Sequence, residues 1–98
     1  MTKEELEAKI AELETALDSL SGAQKIVARN KLTSIKNKLD VMETTAAWAD
    51  FDVSELPDTA EIDAKVTAAN EAIEARQNLA NLVNGALDKV GGLLGLAL

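Results

Sequence analysis

The sequence predicts an all-α protein of three helices, two of them long and forming a helical hairpin with coiled-coil-like packing. Three observations lead there. Apolar residues make up 47% of the 98-residue chain while aromatics contribute 2%, so Ala and Leu, the best helix formers, must build the core. Apolar positions recur at alternating spacings of three and four, which places them on one narrow helical face. Val, Ile, Tyr and Phe are too sparse for a β-sandwich. The length fits one small domain or one protomer of an assembly, and residues 1–98 are read as a single helical domain.

The first helix is expected over about residues 3–20. Thr2 and Glu5 have the spacing of a capping box, and Met1 with Leu6 fits the hydrophobic staple around it. Leu6, Ile10, Leu13, Leu17 and Leu20 then form a heptad stripe, and Glu5 is placed to pair with Lys9 one turn on. Gly22 provides a stop, and Ser21 with Gln24 offers a second capping box.

A second helix follows over about 22–48, through Ala28, Leu32, Ile35, Leu39 and Met42. Its heptad frame is shifted by one residue from the first, which favours a break at Ser21–Gly22 over one straight helix. Ile26-Val27 admits an alternative, a short β element before a helix capped by Thr33.

Residues 49–58 are read as a linker, because Pro57 disfavours helix at Leu56 and Asp58 with Glu61 opens a third capping box. From there Ile62, Val66, Ala69, Ile73, Ala80, Val83, Leu87 and Val90 hold a heptad that only Arg76 interrupts. The expected helix over about 59–90 would be roughly 50 Å long at 1.5 Å per residue, too long for the first helix to cover. Leu79, Leu82, Ala86 and Leu93 form a second stripe beside the first, and 91–98 is an apolar, Gly-rich tail.

The chemistry available is narrow. With no His, Cys or Tyr, thiol and imidazole nucleophiles, structural zinc and disulfides are excluded. No catalytic constellation remains, no enzyme activity is expected, and no cofactor is implied. Seventeen acids against ten bases give a net charge of −7, which disfavours nucleic acid as a partner. The charge is also segregated: Lys25, Arg29, Lys31, Lys36 and Lys38 form a basic run, while Asp50, Asp52, Glu55, Asp58, Glu61 and Asp63 form an acidic one. Such runs could meet within a chain or between chains.

One pattern in the linker bears on metal binding. Asp50, Asp52, Ser54, Asp58 and Glu61 occupy positions 1, 3, 5, 9 and 12 of a calcium-binding loop, but Glu55 stands where that loop needs Gly. Pro57 also stands where its apolar pairing residue belongs, and Asp58 and Glu61 are explained as a helix cap, so no metal site is expected.

Interface residues are expected on the heptad faces: Leu6, Ile10, Leu13 and Leu17 in the first helix, and Val83, Leu87, Val90 and Leu94 near the end. Trp48 and Phe51, the only aromatics, sit where the chain turns and are read as a bundle-end plug or a partner anchor.

The opening Met1-Thr-Lys-Glu-Glu-Leu-Glu-Ala-Lys-Ile-Ala-Glu-Leu-Glu14, with Leu17-Asp-Ser-Leu-Ser-Gly-Ala-Gln24, resembles the start of small phage head-to-tail joining proteins, over about 40 residues. That resemblance implies a short helix, a Ser/Gly turn and a second helix, in a protein acting as a ring or adaptor inside virions. In outline the chain is also similar to small secreted helical hairpins with a central Trp-x-Gly, here Trp48-Ala-Asp50. Neither resemblance supplies functional residues.

The expected function is therefore structural: a non-enzymatic virion-type component that forms a homo-oligomer or docks on protein partners. Its contacts would be the Leu/Ala heptad faces and the apolar C-terminus. One alternative is a membrane-associating protein using residues 79–98, with a membrane as partner; another is a secreted adaptor. No signal peptide is recognised at the start, so a virion or the cytoplasm is the expected location.

Overall fold

A computed structural model describes residues 1–41 and 49–96. Those residues are all-helical, in the order α1 (Lys3–Leu17), α2 (Gly22–Val41), a short 3₁₀ turn (Val53–Glu55), α3 (Thr59–Glu71) and α4 (Ala75–Leu93). The expected helix count of three is thus corrected to four, because the stretch 59–90 is two helices.

The first helix starts as its cap dictates. The Thr2 hydroxyl accepts from the Glu5 amide and the Thr2 amide donates to Glu5 Oε1, both at 3.1 Å. Glu5 is thereby committed to the cap, and Lys9 pairs with Glu12 at 2.7 Å instead of with Glu5. α1 ends at Leu17, three residues earlier than expected, while Leu20 stays in the core at 3% exposure from the following turn. Gly22, expected as the stop of this helix, instead opens α2, at φ +58° where an L side chain is strained.

α2 runs unbroken through Ile26 and Val27, so the short β element is ruled out. The Ser21–Gln24 capping box is replaced by contacts across to α4. Ser21 Oγ accepts from Arg76 at 3.3 Å, and Gln24 Nε2 donates to Gln77 Oε1 at 2.9 Å. Helix 22–48 is seen as far as Val41; its expected remainder, with Met42 and Trp48, lies outside the described residues.

The break between α3 and α4 is the main departure from the heptad. Ala72 is extended at φ −145°, ψ 130°, and Ile73, which the periodicity puts in the core, is 76% exposed. Folding back at this point brings both stripes of α4 into the interior. Leu79, Ala80, Val83, Ala86, Leu87 and Val90 are all at or below 2% exposure. A single straight helix would have left part of that surface in water.

The remaining contacts define the arrangement. α1 packs on α2 and α3, and α4 packs on α2 and α3 and across the middle on α1. The order around the bundle is therefore α1, α2, α4, α3, with α2 and α3 at opposite corners. Glu14–Lys36 and Asp18–Lys25 pair α1 antiparallel to α2, while Gln24–Gln77 and Lys31–Asp88 run α2 parallel to α4. Lys89 donates to the Glu55 carbonyl at 3.0 Å, which places the end of α4 beside the start of α3. The bundle spans 41 × 25 × 16 Å.

Of the apolar stretch 91–98, the residues through Leu96 form a capped helix end. α4 continues to Leu93, the Leu96 amide donates to the Gly91 carbonyl at 2.8 Å, and the Gly95 amide donates to Gly92 at 3.2 Å. With Gly95 at φ +75°, this is a Schellman motif, which satisfies carbonyls the helix leaves open. Leu96 packs back on the core, as the motif favours.

Candidate interface

The residues expected to form an intermolecular interface are placed together, but inside the chain. Leu6, Ile10, Leu13, Leu17, Val83, Leu87, Val90 and Leu94 belong to one hydrophobic core and are at most 3% exposed. A second copy has no access to them while the bundle is closed. Phe51 is half-buried and packs against the same core. Trp48 lies outside the described residues.

The acidic residues of the linker are divided between two local roles. Asp52 Oδ1 accepts from the Ser54 amide at 2.9 Å, and this hydrogen bond holds its carboxyl below the usual range. Asp58 Oδ1 accepts from the Glu61 amide at 2.7 Å and caps α3. Asp50 and Glu61 are exposed, and among the described residues no three acidic side chains converge where a metal ion would bind.

Electrostatic pairing follows a different route from the one the two charge runs suggest. The basic run on α2 is met by α1 and α4: Lys25 with Asp18 (3.8 Å), Lys36 with Glu14 (2.6 Å) and Lys31 with Asp88 (2.9 Å). A groove of about 440 Å³ between α1 and α2 is lined by Glu14, Asp18, Arg29 and Lys36, with its charges balanced. In α1, partial burial raises the Glu12 carboxyl, but hydrogen bonds from Lys9 and Thr59 outweigh burial and leave it below its ordinary value. No ion pair among the described residues draws on an α3 carboxylate.

The unpartnered apolar surface is concentrated on α2. Among the described residues four large hydrophobic ones are exposed, and three belong to this helix: Ile26 (62%), Val27 (48%) and Val41 (72%). At 100° per residue they fall opposite the core-facing Ala28, Leu32, Ile35 and Leu39. Ala23, Val27, Asn30, Ser34, Asn37 and Val41 follow one another at spacings of 4, 3, 4, 3 and 4, and all six are exposed and uncharged. α2 therefore carries two heptad seams, one to the core and one to solvent. Sequence reasoning missed the second because Asn and Ser interrupt its apolar signal. The absence of charge at six successive seam positions, on a helix with five bases, was the cue available.

Among the described residues the large side chains of the C-terminal stripes are buried or half-buried in the bundle, and no described helix is long and apolar enough to cross a membrane. Comparison of the chain with protein-family models, with curated proteins and with solved structures returned no match.

Proposed function

We propose that this protein is a non-enzymatic structural component that associates with copies of itself, in a multi-subunit setting of the virion type. The outer seam of α2 is the contact that drives association. One observation carries this: Ile26, Val27 and Val41 stand exposed along a face of α2 that lacks any charge, on a chain whose other aliphatic stripes are already spent in the core. Apolar surface removed from water stabilises a contact by about 25 cal/mol per Å². Asn30, Ser34 and Asn37 are neutral, so covering them costs far less than covering a charge, provided their hydrogen bonds are met. This route replaces the Leu/Ala core faces as the site of self-association, and coiled-coil-like pairing of helices is the geometry it uses. The resemblance of the first 40 residues to phage joining proteins supports the setting.

Light scattering on the protein as it leaves a sizing column, over about a hundredfold range of loading, tests this. A mass that rises above 10.4 kDa as loading increases is expected. A single-chain mass at every loading would reject self-association.

A further inference from the structure

The occupant of the α2 seam can be named from charge and position, and this deepens the self-association proposed above, on which it rests. We infer that the seam of one copy receives the outer face of α3 of the next. α3 exposes Ala60, Ala64 and Thr67 away from the core, at spacings of 4 and 3, so small side chains face outward where larger ones would need room. Exposed Glu61 and Asp63 flank that row. The α2 seam offers the converse: protruding Ile26, Val27 and Val41, with Lys38 on its flank. Knobs on a basic helix meet shallow positions on an acidic one.

Two features select α3 over the other faces. The acids of α1 are largely committed, since Glu7, Glu12 and Glu14 already pair with Lys3, Lys9 and Lys36. Among the described residues those of α3 are in no such pair, so their attraction for a base is unspent. The lengths also agree: α3, with 13 residues, runs about 20 Å and lies within the 27 Å or so from Ala23 to Val41.

Position then dictates how the contact propagates. α2 and α3 occupy opposite corners of the bundle and face away from each other. A copy that has used its α2 seam still presents α3, and the reverse. Such a head-to-tail contact is heterologous, so it continues until the rotation closes it into a ring or leaves it open as a filament.

Charge reversal tests this. Val27→Glu with Lys38→Glu reverses the α2 face, and Glu61→Lys with Asp63→Lys reverses the α3 face. None of the four positions is in the buried core, and unchanged helicity by circular dichroism is the control. In sedimentation equilibrium each double variant is expected to weaken association about tenfold or more. An equimolar mixture of the two should restore it, because native α2 then meets native α3 and the two reversed faces are again opposite in sign. Association of the α3 variant at wild-type strength, or no recovery in the mixture, would overturn the α2–α3 contact while leaving self-association standing. A wild-type chain that stays monomeric at every concentration would overturn both.

Discussion

Replacing Ile73 with alanine separates a continuous heptad helix from the folded-back bundle. In a helix running through 59–90, Ile73 is a core position, and truncating a buried Ile to Ala costs about 2–5 kcal/mol. In the bundle its side chain is 76% exposed. Full burial of such a side chain contributes about 1.5–3 kcal/mol, so the roughly one quarter taken from water contributes only about 0.5 kcal/mol. Ile35→Ala is the internal standard, since Ile35 is 0% exposed in the same bundle and should show the full cost. For a domain of this size 1 kcal/mol moves Tm by about 4–8 °C. Thermal unfolding followed at 222 nm should therefore give a drop within about 4 °C for Ile73→Ala and at least 8 °C or so for Ile35→Ala. The measurement belongs at low protein concentration, where association does not add to stability. Equal losses at the two sites would refute the break at 72–74 and restore the continuous helix.

Other perturbations probe single devices. Thr2→Ala removes a capping box whose two hydrogen bonds are both formed, and should lower stability by about 1 kcal/mol in urea unfolding. Gly95→Ala forces a side chain onto φ +75° and should cost about 1 kcal/mol. Gly85→Ala, in the interior of α4 with open space around the added methyl, should gain about the same amount; matching signs for the two glycine variants would contradict the assigned helix end. Glu12 is held below its ordinary value of 4.5, so its contribution to stability is complete above that value and fades as pH falls through the lower folded one. Acidifying from about pH 6 to pH 3 should then cost Glu12→Gln less stability than the parent, and an identical pH profile would deny Glu12 that role.

Local signals carried much of the structure. The cap at Thr2, the stripe from Leu6 to Leu20 and the cap at Asp58 all act within a few residues, so they are legible without a partner segment. The all-α class follows from the same signals summed. The candidate site was less legible, because a stripe of aliphatics reports that a face is buried without reporting by what. Leu6 and Val83 were expected to meet a second chain and are covered by their own instead. The outer seam of α2 is nearly silent by hydropathy, since Asn30, Ser34 and Asn37 dilute Val27 and Val41.

By itself, then, the sequence determined the helical class, the caps at Thr2 and Asp58 and most core-facing positions, because periodicity and end chemistry are short-range properties. Only the tertiary structure decided that 59–90 is two helices. Nothing near Ala72 breaks a helix locally: there is no Pro, no Gly and no hydrogen-bonding side chain capping the start of α4. The reversal there is selected by what lies far along the chain, since folding back covers Leu79, Ala86 and Leu87 against α1, α2 and α3 at the cost of exposing Ile73. The same closure settles which surfaces are left over. It turns α2 and α3 outward at opposite corners, one basic and one acidic, and that disposition exists only once the bundle has formed.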